Sequence, residues 1–245
     1  MYRVLVYNIA YGSGAPSSYT ENLLKIHRYL KRPHNNLKKI SKFIESSNAD
    51  IVGLIEIDTG SLRTSNTNQA EEIGKHSSHY AHYLTKYGDS FTGKIIPILR
   101  KQGNAILTRE KNSNGIYHYF PGGFKKLIIE LDMERFRFFL LHLSLSKRTR
   151  KMQFAHMANL LSSKKRPVII AGDFNAFKGA SELRDIRNKL GLVNPNVDRL
   201  PTYPSWNPKH QLDFILCSKE VKIKKFEIPK VNLSDHLPLI MDFEI

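Results

Sequence analysis

The run VIIAGDFNAF (168–177) begins as a fully apolar strand, then places Asp173 and Asn175 two positions apart after Gly172. A carboxylate at the end of such a strand costs several kcal/mol unless it is paired, hydrogen-bonded or bound to metal. The same kind of interruption recurs along the chain: Asn8 in VLVYNIAYG, Glu56 in IVGLIEID, His142 in FFLLHLSLS, Asp213 in QLDFILCS and Asp235-His236 in LSDHLP. Singly, each has a plain structural explanation: a turn for Asn8, a satisfied core imidazole for His142, a loop cap for Asp213. Together they are the residue types of proton transfer and of hard-cation binding.

The elements that must position them can be read from the apolar patterning. Strand-like runs cover 2–9, 49–57, 80–87, 103–108, 125–132, 135–144, 167–172, 212–217 and 237–245. The runs 125–132 and 135–144 flank Met133-Glu134 as a tight antiparallel hairpin. Helical periodicity predicts helices over 36–47 (Leu37, Ile40, Phe43 and Ile44 on one face), 149–163, and 181–190 with Gly191 as its stop. Many strands with few helices predict an α+β fold, two large sheets packed face to face with helices outside. With no repeat, low-complexity tract or Pro/Ser-rich linker, residues 1–245 are expected to form one domain.

Composition narrows the partners. Lys+Arg 38 against Asp+Glu 22 gives a net charge of +16, which favours nucleic acid, an anionic lipid surface or phosphorylated substrates. The basic residues cluster at 25–39 (Lys25, Arg28, Lys31, Arg32, Lys38, Lys39) and at 146–151, with Lys164, Lys165 and Arg166 preceding the GDFN strand. The first two clusters leave the strand ends that carry Asn8 and His142, so they would rim a shared site if those ends converge. Lys164–Arg166 enter their strand from the opposite end and belong on the far face. The single cysteine, Cys217 in FILC, excludes an internal disulfide framework and reads as a buried thiol. No apolar run approaches the ~20 residues of a membrane span. A soluble, cytoplasmic monomer is expected.

The ordered set from Asn8 to Asp235-His236, with GDFN and the terminal SDH, resembles the endonuclease/exonuclease/phosphatase superfamily. That resemblance implies the four-layer, DNase I-like α/β sandwich and an Mg²⁺-dependent phosphoester hydrolase, with Mn²⁺ or Ca²⁺ as substitutes. Carried over residue by residue, it implies that Glu56, helped by Asn8, holds the cation, with Asp235 able to join. Asp173 would orient or deprotonate the attacking water, and Asn175 would position that water or the phosphate; being two apart on an extended segment, the two point the same way. His236 would bond a non-bridging phosphate oxygen, with Asp213 or Asp235 fixing its tautomer. Water would attack phosphorus in line, the metal and His⁺ offsetting charge on oxygen.

His142 bears on the subclass. Relatives that cut at abasic sites carry a Tyr there and an Asp two residues after the first Asn, where this chain has His142 and Ala10. The His form is similar to DNase I, neutral sphingomyelinases and inositol-polyphosphate phosphatases, where it acts as general acid or phosphate binder; the sequence does not identify its carboxylate partner. By resemblance to small bacterial-type members, Arg63 and Asn68 in 56–73, and Trp206 in the Pro-rich loop 201–214, are candidate substrate contacts. Arg63 suits phosphate through its guanidinium fork, and Trp206 suits a base or a lipid interface. Arg150 and Gln153 match a recurring R-x-x-Q with a structural role. The charge favours a phosphodiesterase acting on nucleic acid; the alternative is a phospholipid or phosphoinositide substrate. The intact Glu56, Asp173, Asn175, Asp213 and His236 speak against a third reading, a catalytically inactive polyanion-binding module.

Overall fold

Strands apolar on both faces belong at the centre of a covered sheet, and the most apolar runs here occupy central positions. A computed structural model describes residues 1–16, 18, 34–86, 100–123, 125–162 and 166–245. Lys25, Arg28, Lys31, Arg32, Lys164, Lys165 and Tyr87 lie outside the described residues. One sheet contains β1 (Tyr2–Asn8), β2 (Ile51–Asp58), β3 (Tyr80–Thr85), β4 (Gln102–Thr108), β11 (Lys222–Glu227) and β12 (Leu239–Glu244), in the order β11-β12-β1-β2-β4-β3. The other contains β5 (Asn114–Tyr119), β6 (Leu127–Asp132), β7 (Arg137–His142), β8 (Val168–Asp173), β9 (Leu192–Val193) and β10 (Asp213–Ser218), in the order β5-β6-β7-β8-β10-β9. Each sheet has one parallel pair at its centre, β1–β2 and β7–β8, and antiparallel neighbours around it.

The two sheets face each other across a core that takes Val4, Val6, Ile55 and Ile106 from one side and Leu127, Ile129, Leu140, Ile169 and Ile215 from the other. Helices α1 (His34–Ser47) and α2 (Gln69–Ser77) cover the outside of the first sheet, where Leu37, Ile40, Ile44, Ala70 and Ile73 pack against Leu5, Tyr7 and Leu54. Helices α3 (Lys147–Ser162) and α4 (Arg184–Leu190) cover the second, with Met157, Leu161 and Ile186 on Ile128, Leu141 and Phe214. The result is the expected α+β arrangement of two mixed sheets between helical layers.

The differences from expectation are local. The strands β5 (NGIYHY) and β11 (KIKKFE) are absent from the sequence reading, because each is an edge strand with polar, exposed residues in place of an apolar run. Lysines along an exposed edge also discourage pairing with another chain. The hairpin between β6 and β7 turns over Met133–Phe136, with Met133 N–H donating to Phe136 O at 3.0 Å. The predicted helix 181–190 divides into a 3₁₀ turn, Gly179–Leu183, and α4, which Gly191 closes at φ 64°. Arg166 sits at the far end of β8, paired with Asp132, as expected, while Cys217 is buried and free.

Candidate active site

The inner face of each strand can be followed two residues at a time towards one end of the sandwich. Val4 and Val6 lead to Asn8, Phe138 and Leu140 to His142, Ile169 and Ala171 to Asp173, and Cys217 and Ile215 to Asp213. Register puts His142, Asp173 and Asp213 side by side on three neighbouring strands. The same step from Leu84 reaches Lys86, from Ile106 reaches Asn104, and from Leu127 reaches Lys125. These three residues are missing from the sequence reading. The signal exists in the periodicity, but it has meaning only once the inner face of each strand is known.

Glu56 reaches the site by breaking its strand. Between Ile55 and Ile57 the β2–β4 register shifts, and Glu56 takes φ 58°, a left-handed conformation unusual for Glu. Such a bulge re-aims one side chain and is a form of strain that clusters at functional sites. Asn104 Oδ1 accepts from Glu56 N–H at 3.3 Å, while Asn104 Nδ2 is buried without a partner.

The two sheets meet at Asn8 and Asp173, where Asn8 Nδ2 donates to Asp173 Oδ2 (3.1 Å) and Asn8 Oδ1 accepts from Ala10 N–H (3.1 Å). Asp173 Oδ1 accepts from Asn175 N–H at 2.9 Å, so the GDFN segment is a tight turn rather than an extended stretch. Asn175 has φ 49° and its Nδ2 donates to Leu143 O (2.9 Å), which corrects the expectation that Asp173 and Asn175 point the same way as alternate strand residues. His236 Nδ1 lies 2.8 Å from Asp213 Oδ2, and its Nε2 lies 3.9 Å from Asp173 Oδ2. Asp213, and not Asp235, therefore orients the ring, and Thr202 Oγ1 donates to the same Asp213 oxygen at 2.6 Å. Asp235 accepts Ser205 N–H on its backbone carbonyl and Ser234 Oγ–H on its carboxylate.

Charges set the protonation states. Burial acts against ionised Asp173, but His142, His236 and Lys125 hold its carboxyl well below the usual range. Burial acts against charged His236 as well, yet Asp213 and Asp173 raise it to about 10, so it is an imidazolium at neutral pH. His142 is fully enclosed and flanked by ammonium groups; burial and Lys125 push it down to about 4, leaving it neutral. Lys86 Nζ stands 3.4 Å from His142 Nδ1, and Lys125 Nζ lies against Nε2. Among the described residues no carboxylate hydrogen-bonds Nδ1; Glu56 Oε1 is 3.9 Å from it.

A divalent cation is held best by oxygen donors whose lone pairs are not all committed to hydrogen bonds. Asp173, Asp213 and His236 offer atoms within 4.8 Å of one another, but these three bond each other or the backbone. Glu56 fits better: its carboxylate faces the site, carries no hydrogen bond from the described residues and, against the effect of burial, is held below the usual range by Lys86 and His142. The donor set is therefore suited to a hard cation centred on Glu56.

Two expected substrate contacts are committed elsewhere. Arg63 is buried with Nη2 3.1 Å from Asp58 Oδ2 and its guanidinium 5.1 Å from the Tyr11 ring centroid. The fully buried Asp58 requires that countercharge, so Arg63 builds the 58–64 loop instead of clamping phosphate. Asn68 caps α2, accepting from Ala70 N–H at 3.0 Å, which uses its carbonyl oxygen in the helix terminus. Trp206 is half-buried in a loop whose neighbour Ser205 is bonded to the backbone of Ser234 and Asp235. Arg150 bonds Glu182 and the carbonyls of Ser144 and Leu145, and Gln153 bonds Ser144 N–H and Lys125 O, the expected structural role. Of the 146–151 cluster, Lys147, Arg148 and Lys151 remain exposed beside the exit of β7.

Residues 5–236 match the family model described as Endonuclease/Exonuclease/phosphatase family. No curated protein matches the chain by sequence. Among solved structures, an endonuclease/exonuclease/phosphatase from Beutenbergia cavernae superposes with TM-score 0.73 at 16% identity, covering 100% of this chain and 71% of that one. A mannosyl-6-phosphatase from Bacteroides thetaiotaomicron gives TM-score 0.70 at 14% identity, with 100% of both chains covered. The human Nocturnin catalytic domain, described with a bound sulfate anion, gives TM-score 0.68 at 18% identity, covering 99% of this chain and 94% of that one.

Proposed function

The chain belongs to the endonuclease/exonuclease/phosphatase family, whose members are phosphoester hydrolases, and we propose that it is an Mg²⁺-dependent phosphodiesterase acting on nucleic acid. The observation that carries this reading is the Asp213–His236 pair facing Asp173: an oriented cation 3.9 Å from an ionised carboxylate. Asp173, fixed by Asn8 and Asn175, accepts a hydrogen bond from the attacking water and aims its lone pair at phosphorus. His236 donates from Nε2 to a non-bridging oxygen, while its Nδ1–H stays donated to Asp213 Oδ2. Asn175 has one amide N–H left after its bond to Leu143 O, and this N–H contributes to positioning the phosphate. Glu56 would hold the cation, with Asn8 and Asp235 as the further oxygen ligands of this reading. When bound, Mg²⁺ offsets charge on the phosphate oxygens. His142 is not the general acid in this reading, because its surroundings keep it neutral.

Nucleic acid is favoured by the net charge of +16 and by the exposed cations beside β7. A phospholipid substrate is the second reading. Leu62, Leu145 and Phe177, on the segments that follow β2, β7 and β8, are 81%, 64% and 47% exposed, an apolar set suited to a lipid interface. The deciding experiment measures Mg²⁺-dependent release from plasmid DNA, RNA, sphingomyelin and phosphoinositides side by side. Turnover of DNA or RNA that EDTA abolishes supports the first reading, and turnover of lipids alone replaces it with the second. Absence of turnover on every substrate overturns both.

A further inference from the structure

The helical layer outside the second sheet is grooved. Between α3 and the segment 178–189 lies a cleft of about 470 Å³, within the size range of ligand sites. Towards it α3 turns Lys147, Lys151, Ala155 and Ala158, residues three or four apart on one helix face. The opposite wall carries Lys178, Ser181, Asp185 and Lys189, while Phe154 and Ile186 add apolar surface between the walls. All four lysines are exposed, and none has an ion pair among the described residues. Of the two carboxylates in the groove, Glu182 is already neutralised: Arg150 Nε donates to its Oε1 at 2.7 Å. That leaves Asp185 alone against four cations. Glu182 Oε2 is buried without a hydrogen-bond partner. Buried acceptors are normally paired, so this oxygen suits an amino or hydroxyl donor on a ligand. The groove also starts at the catalytic end. Lys147 follows His142 by five residues and Lys178 follows Asp173 by five, where β7 and β8 leave their sheet. From there α3 runs back along the outside of the sheet, and the step from Lys147 to Lys151 advances about 6 Å.

We propose that the groove between α3 and α4 holds a single-stranded stretch of nucleic acid that leads away from the active site. Its positive charge is spread along both walls, which suits a polymer with a phosphate on every unit. A lipid headgroup concentrates its charge at one point and would leave most of the lysines unused. The Phe154 ring offers a face on which a base packs, and Glu182 Oε2 accepts from an exocyclic amino group. α3 and α4 touch beneath the groove, so it is open to one strand and not to a duplex. The identity of the polymer rests on the nucleic-acid reading of the substrate, whereas binding in the groove requires no turnover.

The test is fluorescence anisotropy of the full chain with a labelled oligodeoxyadenylate of about 15 nucleotides, in EDTA so that nothing is cleaved. Lys151→Ala/Lys189→Ala removes one cation from each wall. Lys219→Ala/Lys222→Ala is the control: it removes two at the far end of the sandwich, where β10 turns into β11. All four positions are exposed, so both variants keep the fold. The groove variant is expected to bind at least about tenfold more weakly, with a log–log salt slope shallower by about 1.4, or about 0.7 for each lost phosphate contact. The control is expected to match the wild type. Equal losses in the two variants mean that net charge alone draws the strand and overturn the groove. Unchanged affinity in the groove variant, or no binding by the wild type, overturns it too, as does a blunt duplex that loses as much affinity as the single strand. Phosphatidylserine vesicles that bind through the groove lysines when the oligonucleotide does not also overturn it. Groove-dependent binding without hydrolysis of any nucleic acid supports the groove and refutes the proposed activity. Mg²⁺-dependent hydrolysis of nucleic acid with binding indifferent to Lys151 and Lys189 does the reverse.

Discussion

Asn8 Nδ2 donates to Asp173 Oδ2 across 3.1 Å, joining the end of β1 in one sheet to the end of β8 in the other. That bond bridges the half-site containing Glu56 and the half-site containing Asp173, Asp213 and His236. Asn8→Asp keeps the acceptor for Ala10 N–H but replaces the donor with a second carboxylate. The expected result is a fall in kcat of about 10- to 100-fold together with a lower melting temperature, because the new buried carboxylate faces Asp173. A steady-state assay beside a thermal melt checks it, and an unchanged kcat would remove Asn8 from the site.

Glu56 supplies the unbonded carboxylate, so the cation's affinity should depend on it. Mg²⁺ at 100 times its Kd is expected to stabilise the wild type by about 2.7 kcal/mol, seen as a concentration-dependent rise in Tm. In Glu56→Gln that rise should largely vanish, and the readout requires no substrate. An equal Mg²⁺ shift in both proteins would mean that the ion binds elsewhere.

Glu130, on β6, is buried with its oxygens 2.5 Å from Arg137 Nε and 2.7 Å from His118 Nε2. Burial alone would raise its pKa, but these two bonds lower it below the ordinary 4.5. A depressed carboxyl contributes stability that is present above about pH 4.5 and is lost as the pH falls through the lower, folded-state value. Glu130→Gln leaves Arg137 buried without its counterion and should cost about 3 kcal/mol at neutral pH. It should also flatten the acid limb of a Tm-versus-pH curve. A limb as steep as the wild type's would assign acid sensitivity to other groups.

Gly172 directs the chain into the GDFN turn at φ +146°, and a Cβ there would lie 1.9 Å from the Leu141 carbonyl oxygen. The obstacle is the backbone of the paired strand β7, which has no rotamer to change. Gly172→Ala should therefore cost about 4 kcal/mol or more, or prevent folding. Denaturant unfolding measures this, and a loss below about 1 kcal/mol would show that β7 and β8 can separate locally.

The fold class and most of the site were legible in the sequence because their signals are local. An apolar strand that ends in Asp, Asn, Glu or His announces a place where burial stops, and this is how Asn8, Glu56, His142, Asp173, Asp213 and His236 could be picked out one strand at a time. Edge strands β5 and β11 escaped because one face meets water and the apolar run disappears. Tertiary structure alone decided which partner each charge receives. Asp213 orients His236 across 23 positions, while Arg63, a phosphate clamp by composition, is consumed by Asp58 five residues away. Lys86, Asn104 and Lys125 look like ordinary polar residues beside strands, and they enter the site only because two sheets close with their inner faces opposed. Local patterning specifies where a side chain leaves its strand; the charge it then meets is contributed by distant segments, and only packing brings those within range.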